Sequence, residues 1–295
     1  MPTNEQRRAT AKRKLERQLE RRAQQEKRRQ LFVVIGGIVA IAVAAALVVT
    51  FVLTNKDDKD KTASGATSTA PVESDAPTTA PPAAGGLPAF KPSANLGSNC
   101  QYPASPEPAA KKVDAPRSGK VPTSPATVSA SMSTNQGNLG LVLDNAKAPC
   151  TVNSFASLAQ KGYFNDTPCH RLTTSPSLSV LQCGDPTGNG TGGPGYQFAN
   201  EYPTDQYPPN DPALQQPVVY PRGTLAMANA GPGTNGSQFF LVYKDSQLPP
   251  NYTAFGTIDA TGLATLDKIA AGGVAGGGQD GKPATDVRIK SILLD

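Results

Sequence analysis

The chain has 295 residues and a formal net charge of +5, with a sequence pI near 9.0. Residues 1–30 hold 11 Lys/Arg against 4 Asp/Glu, which leaves 17 basic and 19 acidic residues for all the rest. The basic balance therefore belongs to a tail and argues against a nucleic-acid-binding role. One histidine, His170, and no Cys-x-x-Cys pair offer no metal-ligand set, and no Gly-x-Ser-x-Gly elbow supports a serine hydrolase.

Residues 1–30 read as a basic cytoplasmic arm. The run 31–53 holds no charged residue and no proline. Its residues would rise about 34 Å as a helix, enough to cross a hydrocarbon core of about 30 Å. A cleaved signal peptide is the rival, but the preceding arm is long for such a leader and the apolar run exceeds the usual length of about 7 to 15 residues. An uncleaved, single-pass signal anchor is expected. The basic cluster before it and the mixed-sign Lys56–Lys61 after it place the N-terminus in the cytoplasm and the bulk of the chain outside the cell membrane.

Residues 54–125 are dominated by Ala, Pro, Thr, Ser and Gly. They offer too little apolar surface to offset chain entropy, so a disordered linker is predicted. The cluster Gly97–Tyr102 is the exception, because Cys100 can staple the end of the linker onto the folded region beyond it. Cys100, Cys150, Cys169 and Cys183 all fall on the predicted outer side, where disulfides persist, and three pairings are possible. If Arg171 and Gln182 share a face, period-2 alternation puts Cys169 with them and Cys183 opposite. That weighs against a direct Cys169–Cys183 bond unless a bulge intervenes.

Residues 126–295 carry the folded pattern. Thr127–Met132 and Leu139–Leu143 flank the turn residues Asn135–Asn138 and form a predicted hairpin. A helix over 151–160 places Val152, Phe155 and Leu158 on one face, starting from Thr151 as a capping-type residue and ending before Gly162. Strands come next at 170–172, 178–182, 224–228, 238–243 and 253–258, then a helix over 261–271 and a closing strand over 287–293. Many short strands with two helices predict a mainly β closed barrel capped by helices.

Two Gly-x-Gly-x-x-Gly matches, from Gly188 and from Gly231, lead into no helix and do not read as dinucleotide sites. Gly276–Lys282 resembles part of a phosphate loop, but Pro283 stands at the hydroxyl position, so it reads as a flexible loop. The most informative stretch is Met227–Phe240. It joins a Gly/Pro/Asn-rich turn to Ser237–Val242, which alternates like a half-buried strand. Backbone groups beside an aromatic floor suit an extended, proline-containing peptide.

Cys169–Leu172, Leu181–Gly188, Gly192–Tyr196, Gly223–Phe240 and Phe255-Gly256 resemble cyclophilins in order and spacing. The resemblance spans about residues 126–295. With the arm, span and linker, the whole chain resembles membrane-anchored actinobacterial cyclophilins. It implies an eight-stranded antiparallel barrel with two capping helices, and peptidyl-prolyl cis-trans isomerisation without a cofactor or a metal. Arg171 and Gln182 match the catalytic pair. Val180, Ala228, Asn229, Gln238, Phe240, Leu248 and Tyr252 match substrate-binding positions, with Phe240 as the pocket floor. His170 reads as structural. The implied partners are proline-containing polypeptides among exported or cell-envelope proteins, and a monomer is expected. A non-catalytic proline-peptide-binding module or holdase is the alternative. It is motivated by Ser179, which stands at an aromatic-wall position after a segment three residues longer than usual. Gln247 stands where cyclosporin-sensitive members carry tryptophan, and Tyr252 where many carry histidine. Cyclosporin binding is accordingly expected to be weakened, and nanomolar inhibition of the purified protein would overturn that expectation.

Overall fold

The computed structural model describes residues 85–295; the basic arm, the apolar run 31–53 and residues 54–84 lie outside the described residues. Among the described residues no helix is long and apolar enough to cross a membrane.

The hairpin forms as predicted, with β1 (Thr127–Thr134) and β2 (Gly137–Asp144) in register from Thr127 opposite Asp144 to Thr134 opposite Gly137. Helix α1 (Pro149–Gln160) comes next, then β3 (Thr167–Pro168), β4 (Arg171–Thr173) and β5 (Val180–Cys183). After a long loop come β6 (Val218–Tyr220), β7 (Thr224–Met227), β8 (Phe239–Val242), β9 (Ser246–Leu248) and β10 (Ala254–Ile258). Helix α2 (Ala260–Ala271), β11 (Asp280–Gly281) and β12 (Arg288–Leu294) complete the chain.

One antiparallel sheet runs β11-β4-β5-β8-β7-β10-β2-β1-β12-β3, and β6 pairs with β9 in a separate ribbon. The sheet curls back on itself. β3 and β4 are the two parts of one segment interrupted only at Cys169 and His170, so Thr167–Thr173 pairs with β12 at one end and with β5 at the other. The Cys169 N–H donates to the Val287 carbonyl at 2.9 Å within that interruption. Ten hydrogen-bonded strands thus stand where eight were expected, with β3 and β4 divided and β11 added at an edge.

Helix α1 buries Val152, Phe155 and Leu158, and Phe155 lies 5.2 to 5.4 Å, ring to ring, from Phe164, Phe239 and Phe255. The helix starts two residues earlier than predicted, with Pro149 in its first turn, where a missing N–H costs nothing. Ala148 at the cap position supplies no side-chain acceptor, and Thr151 lies inside the helix rather than before it. The acceptor is Glu201, which takes bonds from Cys150 N at 3.0 Å, Thr151 N at 2.7 Å and Thr151 Oγ1 at 2.7 Å. Helix α2 has a local cap instead, Asp259 accepting from Gly262 N at 2.6 Å.

Two expectations are corrected. Residues 85–125 are an ordered strap, not part of a disordered linker. Leu87 and Phe90 pack on one apolar cluster, while Cys100, Tyr102 and Val121 are buried in another. Cys100 bonds to Cys150 at the start of α1, and the Tyr102 hydroxyl donates to the Cys150 carbonyl at 2.7 Å. These side chains are spaced irregularly and reach the domain one at a time, so they carry no periodic signal. The staple expected at Cys100 is present.

The second correction is the Cys169–Cys183 disulfide, against which strand alternation was weighed. Alternation fails because the strand is broken at Cys169 and His170, where pairing passes from β12 to β5. Both sulfurs face the core, Cys169 at 2% exposure and Cys183 at 0%.

Burial pushes the Glu201 carboxyl up to about 7, although the bonds from Thr151 and Cys150 oppose the rise. A carboxyl with a folded pKa above its unfolded value contributes most stability below about pH 4.5 and loses it as pH rises toward 7. Chemical denaturation between pH 4.5 and 8 should show stability falling across that window. Glu201→Gln should flatten the slope, and an unchanged slope would refute the assignment.

Candidate active site

Strand alternation sorts the side chains of the sheet into two sets. Leu172, Leu181, Leu241, Leu225, Gly256 and Leu143 oppose one another in turn across β4, β5, β8, β7, β10 and β2. The leucines of this row lie in the main core. At Gly256 a Cβ would meet the Val142 carbonyl oxygen at 2.7 Å, so only glycine lets the strands approach there. The adjacent row runs Arg171, Gln182, Phe240, Ala226, Ala254 and lies on the opposite face. Directly opposed Cβ atoms are about 5 Å apart, so the register alone sets an arginine, an amide and an aromatic ring side by side. β8 is consequently buried on both faces, not half-buried as its alternation implied. Phe239 and Leu241 join the main core, while Phe240 and Val242 join a second cluster with Val180, Ala226, Ala254, Tyr202 and Tyr220.

Above Phe240 lies a cavity of about 230 Å³ lined by Arg171, Leu178, Val180, Gln182, Ala228, Asn229, Phe240, Leu248 and Tyr252. Eight of the nine residues singled out in the sequence line it. The ninth, Gln238, lines a contiguous cavity that shares Gln182, Ala228 and Asn229. Tyr252 meets Phe240 edge to face, centroids 5.8 Å apart at 77°. The Asn229 amide donates to the Asn251 carbonyl at 2.9 Å and to Asn235 Oδ1 at 3.2 Å, which fixes the loop after β7 over the cavity.

The polar side is a connected chain. Asp280 accepts from Arg171 Nε and Nη2, both at 2.7 Å. Arg171 Nη1 donates to Gln182 Oε1 at 3.2 Å, and Gln182 Nε2 donates to Gln238 Oε1 at 2.9 Å. Gln238 Nε2 then donates to the carbonyls of Gly190 and Gly192, each at 3.0 Å. Hydrogen bonding to Asp280 raises the Arg171 pKa and lowers that of Asp280, so the pair is fully ionised at neutral pH. A guanidinium has five N–H groups. With three engaged in this way, two on the Nη atoms remain for a guest.

Asp280 and Leu178 were not anticipated. Asp280 sits in the Gly-rich stretch 276–282 that read as a flexible loop, and only the pairing of β11 with β4 brings it to Arg171. Leu178 supplies an apolar wall next to Ser179. Ser179 itself is buried away from the cavity, its N–H donating to Ser246 Oγ at 2.9 Å and its hydroxyl to the Ser175 carbonyl at 3.0 Å. The wall expected to be missing at Ser179 is therefore furnished one residue earlier. Gln247 is exposed on β9, while its neighbour Leu248 faces the cavity. His170 has neither ring nitrogen hydrogen-bonded among the described residues, and burial lowers its pKa, leaving it neutral.

Residues 129–293 match the family model described as cyclophilin-type peptidyl-prolyl cis-trans isomerase. A Mycobacterium tuberculosis protein, "Probable peptidyl-prolyl cis-trans isomerase B", is 68% identical over 296 residues, covering 100% of this chain and 95% of that protein. Its Mycobacterium leprae counterpart is 67% identical, with 100% of both chains covered. A Helicobacter pylori peptidyl-prolyl cis-trans isomerase is 39% identical over 150 residues, covering 50% of this chain and 83% of that one. A curled antiparallel sheet with two helices and an apolar cavity rimmed by an arginine thus coincides with full-length likeness to isomerases, and the chain belongs to the cyclophilin-type peptidyl-prolyl cis-trans isomerases.

Proposed function

We propose that the cavity over Phe240 seats the proline ring and that Arg171 and Gln182 carry the isomerisation. The observation that carries this reading is the position of the Arg171 guanidinium at the rim of an apolar cavity whose floor is Phe240. Rotation about X-Pro breaks amide resonance against a barrier of about 18 to 20 kcal/mol. At the twisted geometry the prolyl nitrogen regains a lone pair that accepts a hydrogen bond, which the planar amide does not offer. The free Nη N–H groups of Arg171 supply that bond, and no covalent bond is made or broken. Because the interaction arises mainly in the transition state, it lowers the barrier rather than tightening ground-state binding.

Gln182 both orients Arg171 and presents an amide to the substrate backbone. Ala228 and Asn229 line the opposite side, where an extended peptide can pair with main chain. Leu178, Val180, Leu248 and Tyr252 hold the ring by apolar contact. Asp280 is a positioning residue: its two-point grip prevents the guanidinium from turning into solvent.

We further propose that the domain works outside the cytoplasm, held by the span 31–53, on exported or cell-envelope polypeptides. Two disulfides among four cysteines support an oxidising compartment. Gln247 stays the reason to expect weak cyclosporin binding.

In an NMR exchange assay, Arg171→Ala should lower kcat/KM by roughly a hundredfold, corresponding to about 3 kcal/mol of transition-state stabilisation. Rates equal to wild type would sink the role given to Arg171. Asp280→Ala should lower kcat by about fivefold with little change in KM, as expected for one exposed charged contact. Asp280→Asn, which keeps one acceptor, should fall between. A pure KM effect would instead make Asp280 part of the binding surface.

A further inference from the structure

The strap, residues 85–125, lies before the family-matched residues 129–293, yet it reaches the polar chain that ends at Arg171. It closes into a loop, because Cys100 N donates to the Gly119 carbonyl and Gly119 N to the Cys100 carbonyl, both at 2.8 Å. The Cys100–Cys150 disulfide pins the neck of that loop to the first turn of α1. One side of the loop is laced to the glycine-rich segment that follows β5. Gln197 N donates to the Pro103 carbonyl at 2.9 Å, Ser105 N to the Gly195 carbonyl at 3.0 Å and Ala110 N to the Gly193 carbonyl at 2.9 Å. The fit is tight, since a Cβ on Gly195, where φ is +82°, would lie 2.9 Å from the Ala109 Cβ. The same segment offers the Gly190 and Gly192 carbonyls to the Gln238 amide, Gln238 accepts from Gln182, and Gln182 accepts from Arg171. One covalent bond therefore stands at the far end of the path that orients the guanidinium. No strand of the ten-stranded sheet comes from the strap, so opening that bond leaves the strand pairing of the body intact.

The two disulfides differ in access. Cys169 and Cys183 are 2% and 0% exposed, which seals their bond from an incoming thiol. Cys100 is buried as well, and of the four only Cys150 is not fully buried. We propose that the Cys100–Cys150 disulfide is a redox switch on isomerase activity, which a dithiol opens to free the strap and loosen the glycine-rich segment that holds Gln238. A thiolate of the dithiol attacks Cys150 Sγ, the S–S bond breaks, and the electron pair leaves on Cys100 Sγ. The second thiol then attacks the mixed disulfide and expels Cys150. Two electrons pass to the protein, the two protons of the dithiol end on the cysteines, and the reductant departs as its own disulfide. With Gln238 loose, Gln182 loses its anchor and Arg171 keeps only the grip of Asp280. The enzyme is thereby fully active only where cysteines are oxidised. The proposal rests on the reading of Arg171 above and adds regulation to it.

The test titrates the full-length protein with dithiothreitol, follows X-Pro exchange by NMR, and maps free thiols by alkylation and mass spectrometry. Cys100 and Cys150 should become alkylated before Cys169 and Cys183. As they do, kcat/KM should fall about fivefold, the worth of one oriented hydrogen bond, and reoxidation should restore it. A full rate with Cys100 and Cys150 mapped as free thiols overturns the switch, and so does earlier opening of Cys169–Cys183. The double variant Cys100→Ser, Cys150→Ser should be slow from the outset and indifferent to the reductant. Should that variant fail to fold, the wild-type titration decides alone. In Gln238→Ala the reductant should cause no further fall, and a second fivefold loss there refutes the route through Gln238. Arg171→Ala matching wild type in the oxidised protein sinks the groove reading instead, so the two failures give different results.

Discussion

The site depends on the antiparallel register between β4, β5, β8 and β7. Side chains alternate across a sheet with period two, so a single register places Leu172, Leu181, Leu241 and Leu225 in the core and Arg171, Gln182, Phe240 and Ala226 on the other face. Slipping β4 by one residue would turn Arg171 toward the core and Leu172 away from it. The energy that holds the core therefore also holds the functional row in place, and no separate device is needed to bring Arg171, Gln182 and Phe240 together.

Around that row the polar groups form one connected path. Asp280 grips Arg171, Arg171 meets Gln182, Gln182 meets Gln238, and Gln238 is held by the carbonyls of Gly190 and Gly192. The glycine loop is in turn clamped by the strap, which is tied covalently at Cys100 to the start of α1. α1 itself is capped from a distance by Glu201. Elements far apart in sequence thus share the work of fixing one guanidinium, and each link is a hydrogen bond or a covalent bond.

Legibility in the sequence depends on which interactions leave a periodic trace. The helices, the β1–β2 hairpin and the strands bearing Arg171, Gln182 and Phe240 were legible because amphipathic spacing and turn residues mark them. Eight of the nine anticipated site residues line one cavity, since motif order carries over when the register is kept. β3, β6, β9 and β11 are two or three residues long and too short to alternate detectably. Asp280 was hidden in a glycine-rich run, and Glu201 caps a helix 50 residues away from its own position, a relation that local capping rules cannot express. The strap was misread because its anchors are isolated apolar residues in proline- and alanine-rich chain, where composition resembles disorder. The Cys169–Cys183 bond was misjudged because alternation was carried through a break at His170 that only the pairing with two different strands reveals.

That bond has a further consequence for how this part of the chain can vary. Cys169 and Cys183 close a covalent ring, 14 positions apart in sequence, around β4, β5 and the turn between them. Arg171 and Gln182 sit just inside the clasp, while the Thr174–Ser179 turn forms the far end of the ring. Residues can be inserted at that far end without loosening the clasp, much as links can be added to a bracelet away from its fastening. The turn that carries Leu178 to the pocket wall lies at this far end of the ring.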